Sequence, residues 1–188
     1  MSEKITINLR HLEKRDIPKV AAWLTNADYY RHNLTTYPCQ NKRLLQNQLL
    51  KEIAVGRMIE ARTRLLAAEA NGEILTAFIA LQNFSWQNRN AVLQIYIPAE
   101  FRSTDLGLVI VTQVYNYIFK DLGLRKVYTY VSGGDAEKLE RYKAAKQEPE
   151  AVLYNYLRGA DGKPETLHIF GTFQKDVLKK ASTGAKKD

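Results

Sequence analysis

Cysteine is nearly absent from this 188-residue sequence, and long apolar runs are absent altogether. The single cysteine, Cys39, has no second thiol for an internal disulfide or a clustered metal site, so a reducing compartment suits the chain. The three histidines, His11, His32 and His168, are too far apart in sequence to indicate a metal site by spacing. No stretch approaches the roughly 20 apolar residues that a membrane-spanning helix needs, and residues 1–10 indicate a strand rather than a signal segment. We therefore expect a cytoplasmic protein without a membrane anchor or a bound metal.

The composition is that of an ordinary globular protein, with 45% hydrophobic and 26% charged residues. A chain of this length fits one domain. The net charge is +8, and residues 175–188 carry five lysines and two aspartates, so +3 of this charge lies at one end. We predict a single domain over residues 1–174 and a Lys-rich, disordered tail over residues 175–188. Contact of that tail with a nucleic acid or a ribosome is an alternative that rests on charge alone.

Hydrophobic periodicity divides the chain into alternating strands and helices. Residues 4–10 alternate apolar and polar side chains, as a half-buried strand does, and Asn71-Gly72 between two apolar runs predicts a β-hairpin. Residues 28–40 have no period and are predicted to form a loop. The predicted strands are residues 4–10, 65–70, 74–81, 91–97, 124–131, 151–157 and 165–173. The predicted helices are residues 17–26, 44–56, 106–122 and one that runs through Leu139 and Tyr142 after a loop at residues 133–135.

The fourth strand, its turn and the following helix create a site for an anion. The first turn of a helix has unpaired N–H groups and the positive end of the helix dipole. The order of elements, together with residues 90–102 (NAVLQIYIPAEFR), resembles the GNAT superfamily of N-acetyltransferases over roughly residues 5–173. The likeness is greatest to the branch that acts on ribosomal-protein N-termini. It implies an α+β fold with a mixed, mostly antiparallel sheet of about seven strands and helices on both faces.

The resemblance also implies where acetyl-CoA, or another acyl-CoA, binds as co-substrate. In the family the fourth and fifth strands splay apart, the fourth strand lies along the pantetheine arm, and an Arg/Gln-x-x-Gly-x-Gly/Ala loop wraps the pyrophosphate. Arg102 and Gly107 match that loop. The residues implied for cofactor binding are Ile95, Tyr96, Ile97, Arg102, Ser103, Thr104, Asp105, Leu106, Gly107, Leu108 and Asp135.

Asp105 departs from the family loop, because it stands where the first glycine is expected. A carboxylate beside a pyrophosphate repels it, whereas glycine lets the backbone approach closely. The segment from Ser103 to Asp105 before an apolar helix is also an ordinary N-capping sequence. The sequence leaves open whether Asp105 borders a working site or replaces the anion.

Tyr142 matches the tyrosine that in the family lies near the sulfur of CoA, where a phenol can return a proton to the leaving thiolate. Asp135 stands at the position of the family asparagine that precedes this helix. Lys146 and Gln147 replace the glycine-phenylalanine pair that follows it. Tyr142 is therefore the predicted catalytic residue, with a packing role as the alternative, since the chain holds 11 tyrosines.

The general base is not identified by the sequence. Many relatives carry a glutamate early in the fourth strand, and Val92 occupies that position here. The remaining carboxylate candidates are Glu69, Glu100 and Asp28.

The function that we predict is acyl-CoA-dependent N-acyl transfer, most simply acetyl transfer, to an amine of a small molecule or a protein. The first alternative is a catalytically inactive GNAT-like binding or scaffold protein, which the altered positions favour. The second is a basic RNA- or ribosome-associated factor, which no RNA-binding aromatic signature supports.

Overall fold

A single seven-stranded sheet runs through the molecule, in the strand order β1-β2-β3-β4-β5-β7-β6. The computed structural model describes residues 6–32, 41–56, 61–102, 105–159 and 162–177. Neighbouring strands are antiparallel except β4 and β5, which are parallel. The predicted mixed, mostly antiparallel sheet is therefore confirmed. The strands are β1 Ile7–His11, β2 Arg64–Ala70, β3 Ile74–Ser85, β4 Asn90–Tyr96, β5 Lys126–Ser132, β6 Ala151–Arg158 and β7 Pro164–Phe173.

Helices lie on both faces of this sheet. A 3₁₀ turn at Lys14–Asp16 precedes α1, and a wide π-type turn at Tyr117–Asp121 follows α5. Within the described ranges, no helix has the length and apolar character needed to cross a membrane. The helices are α1 Ile17–Leu24, α2 Ala27–His32, α3 Lys42–Gly56, α4 Ala99–Arg102, α5 Asp105–Asn116 and α6 Ala136–Ala144.

The sheet has a hydrophobic core on each face, and successive side chains of a strand belong to these two cores in alternation. On β2, Leu66 and Ala68 face the core beneath α5, while Leu65 and Ala67 face the core beneath α1 and α3. Successive side chains of a strand point to opposite faces, so one apolar strand supplies both cores. The α5 side is filled by Ile110, Val114, Ile118 and Phe119, and the other side by Val20, Leu24, Leu45 and Leu49.

The β2–β3 hairpin forms as the sequence predicts. Asn71 and Gly72 both have positive φ, at 52° and 77°, which two-residue hairpin turns of the type I′ class require. Asparagine and glycine tolerate this conformation better than other residues. The turn sets the antiparallel pairing of β2 with β3.

The predicted loop at residues 28–40 is wrong in part, because it contains most of a short helix. Residues 27–32 form α2 at the start of the predicted loop 28–40, and residues 33–40 lie outside the described part of the chain. The side chain of Asn26 accepts a hydrogen bond from the amide of Asp28 at 3.0 Å, which caps the turn that starts α2. A second short helix, α4, was not predicted; it ends at Arg102, the first residue of the predicted loop at residues 102–107, and α5 begins inside that loop at Asp105.

Several predicted boundaries also differ, as three examples from the C-terminal half of the chain show. The long helix ends at Asn116 and continues as the π-type turn, which places Ile118 and Phe119 in the core. The fifth strand begins at Lys126 rather than at residue 124. Residues 174–177 are helical, and Val177 packs against the α5-side core, so the predicted tail does not begin at residue 175. Residues 178–188 lie outside the described part of the chain.

The parallel contact between β4 and β5 is short. Pairing is confined to three residue pairs, from Asn90 with Lys126 to Val92 with Tyr128. Beyond Val92 the two strands are no longer paired, so a groove opens between the C-terminal half of β4 and that of β5. The predicted splay, and a helix that starts near residue 106, are both present.

Candidate active-site groove

The groove between β4 and β5 holds a cavity of about 210 Å³. Apolar side chains of β4 line one wall, and α5 and α6 contribute the other walls. Polar and charged groups collect among the side chains of α6 and near the end of β4. The lining residues are Leu93, Ile95, Tyr96, Ile97, Arg102, Val111, Tyr115, Thr129, Glu137, Lys138, Arg141 and Tyr142.

Five of the predicted site residues line this cavity, namely Ile95, Tyr96, Ile97, Arg102 and Tyr142. The predicted cofactor residues of α5 form its first turn and do not line the cavity; they are Asp105, Leu106, Gly107 and Leu108. Ser103 and Thr104 lie outside the described residues. The sequence therefore places β4 and Tyr142 at the groove, while the role of the turn before α5 stays a prediction.

Tyr142 is held by contacts on two sides. Its ring stacks on Phe170, with centroids 3.9 Å apart and an interplanar angle of 13°. Burial, followed by the neighbouring Tyr115, raises the pKa of Tyr142 to about 12, although a hydrogen bond with Thr129 acts in the opposite direction. The phenol is therefore protonated at neutral pH and is a proton donor rather than a base.

Arg102 is bound to the protein itself at the end of the groove. Its Nη2 donates to Oδ2 of Asp28 at 2.6 Å, and its Nη1 donates to Oδ1 at 3.3 Å. The same guanidinium donates to the carbonyl oxygen of Ile97 at 3.1 and 3.2 Å. The Tyr96 hydroxyl donates to Oδ2 of Asp28 at 2.9 Å, and burial together with this bond raises the pKa of Tyr96. These bonds join α2 to the end of β4.

Of the three carboxylates considered as bases, Asp28 is the one hydrogen-bonded to residues that line the groove. Glu69 is buried in β2 and accepts two hydrogen bonds from Arg10, at 3.0 and 3.2 Å. Glu100 is exposed on α4 and is not among the lining residues. Val92, at the family's glutamate position, is buried.

Asp135 caps the N-terminus of α6. Its side chain accepts a hydrogen bond from the Lys138 amide at 3.1 Å, which makes it the N-cap of the helix. The residue is buried but does not line the groove. Its predicted part in cofactor binding therefore has no direct contact to support it.

Lys146 and Gln147 occupy the turn that leaves α6. Lys146 has a φ of 53°, the left-handed conformation that glycine adopts most readily, which fits a glycine at this place in the family. Gln147 Nε2 donates to the carbonyl oxygen of Gly171 at 3.0 Å. The two residues thus preserve a helix end and a contact to β7, but they bring no side chain to the cavity between β4 and β5.

Gly107 is required by close packing. A Cβ atom there would lie 2.9 Å from the carbonyl oxygen of Arg102 and 3.1 Å from that of Phe101. Both oxygens belong to backbone, so a side chain at this position would have to displace α4. The match of Gly107 to the family loop has this local reason in addition to any ligand.

Sequence reasoning missed three charged lining residues, Glu137, Lys138 and Arg141. Lys138 and Arg141 share a helix with Tyr142, four residues and one residue before it, so helical spacing could have found Lys138 on the same face. Burial lowers the pKa of Lys138, Arg102 and Arg141 lower it further, and Asp135 acts in the opposite direction. The groove thus gathers three cations, two of them on α6.

The chain matches solved protein structures, but it matches neither family models nor curated sequences. Solved structures of spermidine N-acetyltransferase SpeG from Vibrio cholerae do match. The complex with CoA and spermine has a TM-score of 0.77 at 19% identity and covers 92% of this chain and 98% of its own.

Two further structures of the same enzyme agree. A single-residue mutant of it has a TM-score of 0.76 at 20% identity, with 93% of this chain and 98% of that chain covered. The complex with manganese ions has a TM-score of 0.72 at 19% identity, with 93% and 96% covered. The fold is that of the GNAT acetyltransferases. At 19–20% identity the likeness shows the fold alone. The function of the groove therefore has to be inferred from the residues that line it in this chain.

Proposed function

We propose that this GNAT-fold protein transfers an acyl group from acyl-CoA, most simply acetyl-CoA, to an amine. The observation that carries the proposal is a protonated, half-buried tyrosine in the cavity between the splayed strands β4 and β5. A GNAT-fold neighbour was solved with CoA and spermine, which supports an acyl-CoA co-substrate and an amine acceptor.

The splayed half of β4 suits the pantetheine arm. Beyond Val92, β4 has no pairing with β5, so the backbone groups of β4 that face this side are open to the amide groups of the arm, except the Ile97 carbonyl, which Arg102 binds. The apolar side chains of Ile95 and Ile97 line the same cavity. An extended ligand laid along β4 would direct its thioester towards Tyr142.

The transfer needs one new bond and one proton donor. The amine nitrogen attacks the thioester carbonyl carbon, the carbon–nitrogen bond forms and the carbon–sulfur bond breaks. The leaving thiolate then takes the proton of the Tyr142 hydroxyl. Holding both reactants in one groove is itself a large part of the rate enhancement. Among the carboxylates considered, Asp28 is in the best position to receive the proton that the amine releases.

The acceptor that we propose is a small-molecule amine. The neighbouring enzyme is named for spermidine, and one of its structures contains spermine. The sequence resemblance to the ribosomal-protein branch makes a protein N-terminus a second acceptor to test. An assay with spermidine, spermine, simple primary amines and N-terminal peptides separates these classes.

The test is Tyr142→Phe, which removes the hydroxyl and keeps the ring on Phe170. Acetyl-CoA and the amine panel are assayed by release of the CoA thiol, and CoA binding is measured by calorimetry. We expect kcat to fall by about 100-fold or more, as loss of a general acid does, with little change in the Kd for CoA. Tyr154→Phe is the matched control, since Tyr154 is exposed on β6 and does not line this cavity. An unchanged kcat in Tyr142→Phe would refute the acid role.

A catalytically inactive GNAT-like binding protein is the second candidate. The observation that favours it is the binding of Arg102 to Asp28 and Ile97, which occupies the cation expected to meet the cofactor. A thermal-shift titration with acetyl-CoA and longer acyl-CoAs decides between the two. A ligand at 100 times its Kd adds about 2.7 kcal/mol to stability, so complete absence of a shift would favour the inactive protein. An RNA- or ribosome-associated role stays a prediction from charge alone.

A further inference from the structure

Two cations of α6, Lys138 and Arg141, line the groove together with Arg102 of α4. Their fields reach one another, because both arginines lower the pKa of Lys138. Lys138 is also desolvated, which raises the free energy of its charged form. Lys138 is partly buried and has Asp135 as well as the two arginines near it, and three cations around one cavity favour an anionic ligand.

The start of α5, where the family loop would hold a pyrophosphate, has the opposite character. Asp105 puts a carboxylate into the first turn of α5. The carbonyl oxygens of Phe101 and Arg102 approach the position of a Cβ on Gly107 to 3.1 and 2.9 Å, so negative ends of dipoles also lie there. These groups oppose the attraction that the helix dipole offers to an anion.

We propose that Lys138 and Arg141 bind the diphosphate of acyl-CoA, so that side chains of α6 supply the charge that a glycine-rich loop supplies elsewhere. The inference rests on the proposed function and assigns a role to two residues that the acyl transfer itself does not use. Lys138 and Tyr142 are four residues apart on α6, so both side chains lie on one face of the helix and line the same cavity.

Neighbouring groups of the protein hold Arg102 more firmly than they hold Arg141. Arg141 donates to Glu137 at 2.5 Å, but the side chains are 62% and 57% exposed, and such surface pairs are weak and readily exchanged. Lys138 lies near Asp135, which acts to raise its pKa, and the Asp135 side chain also accepts the Lys138 amide as a helix cap. Arg102 is more firmly held, since it binds both Asp28 and the Ile97 carbonyl. We therefore assign the diphosphate to the two cations of α6 rather than to Arg102.

Three ligands separate the parts of CoA: CoA itself, dephospho-CoA, which keeps the diphosphate but lacks the 3′-phosphate, and pantetheine, which lacks both. Calorimetric titrations at low and at moderate salt are made with the wild type, Lys138→Gln and Arg141→Gln. Lys143→Gln is the matched control, because Lys143 lies on the same helix, is 79% exposed and is not a lining residue of this cavity. Thermal unfolding of each variant checks that it folds, and the exposed Arg141 offers a substitution that does not depend on a buried position.

The expected result is about a tenfold or larger rise in the Kd for CoA and dephospho-CoA in both α6 variants, as loss of a charge-assisted hydrogen bond to phosphate produces. The Kd for pantetheine should stay within about twofold, Lys143→Gln should match the wild type, and higher salt should reduce the difference. Equal weakening of all three ligands would show a structural effect and overturn the proposal. Weakening of CoA but not of dephospho-CoA would assign the cations to the 3′-phosphate and also overturn it.

The titrations of the wild type show whether a failure concerns the role of Lys138 and Arg141 or the proposed acyl transfer itself. A wild type that binds none of the three ligands would remove both. A wild type that binds CoA tightly, with both α6 variants unchanged, would remove only the role of Lys138 and Arg141.

Discussion

Replacing Arg10 by methionine should leave two buried carboxylates without their shared cation. Arg10 donates to Asp16 at 2.7 and 2.9 Å and to Glu69 at 3.0 and 3.2 Å. The side chains of Arg10, Asp16 and Glu69 are only 14%, 5% and 8% exposed. Removing one partner from a buried ion pair costs about 3–5 kcal/mol, because the remaining charge is buried without compensation. We expect Arg10→Met to lower the free energy of unfolding by this amount.

Arg15→Met is the matched control, because it removes the same charge from the same neighbourhood. Arg15 is 62% exposed and binds Glu13 at 2.8 Å, with Glu69 more distant at 3.6 Å. An exposed pair contributes about 0–1 kcal/mol. Urea denaturation followed by circular dichroism at neutral pH measures both variants. A loss in Arg10→Met no larger than that in Arg15→Met would refute the reasoning.

The pH dependence gives an independent check. Hydrogen bonds from Arg10 lower the pKa of Glu69, and for Asp16 the bonds from Arg10 and the Glu13 amide overcome burial, which alone would raise its pKa. In the unfolded chain the pKa values of Asp and Glu are about 3.9 and 4.3. Because both pKa values are lower in the folded protein, the two carboxylates stabilise the fold at pH values above about 3.9 and 4.3. This stability is lost as the pH falls through the pKa values of the folded protein. Without Arg10 both carboxyls should protonate at higher pH. The difference in the free energy of unfolding between the wild type and Arg10→Met should therefore become smaller as the pH falls from 7 towards 4.

Two further substitutions test the region before and within the first turn of α5. Asp105→Gly should tighten CoA binding by removing a repulsive charge, and higher salt should reduce that gain; weaker binding in the variant would contradict our account of this residue. Gly107→Ala should cost about 1–3 kcal/mol in urea denaturation, because its Cβ would lie 2.9 Å from a backbone oxygen. Leu108→Ala, at an exposed position on the same helix, should change stability by less than about 1 kcal/mol, and equal losses in the two variants would contradict the steric argument.

Local patterns in the sequence determined most of the fold. Alternation predicted the strands because a strand presents successive side chains to opposite faces, and here those faces are two cores. Asn71-Gly72 predicted its hairpin because both residues accept positive φ. Each of these signals depends on residues within a few positions of one another. The short helices α2 and α4 were missed because four to six residues hold too little of a helical period to be recognised.

Part of the candidate site was predicted from the resemblance to the GNAT superfamily rather than from local patterns. The resemblance implied that β4 and Tyr142 lie at one site, and Ile95, Tyr96, Ile97 and Tyr142 line the same cavity. Helical spacing from Tyr142 could have placed Lys138 on the groove face of the same short helix, but no local signal indicates that Arg141 also lines the cavity. Lys143, on that helix too, has the same residue type as Lys138 and is exposed.

Only the tertiary structure decided which charges meet. Arg102 was predicted to bind a pyrophosphate, but its guanidinium binds Asp28, which lies 74 residues earlier in the chain. Glu69 was a candidate base, yet it is bound by Arg10, 59 residues away on the paired strand β1. Such pairs depend on how strands and helices are placed against one another, and the energy of an ion pair depends on distance and burial rather than on sequence separation. The periodicity of a chain determines which side of an element is buried, and the assembled sheet determines which charged groups lie opposite one another.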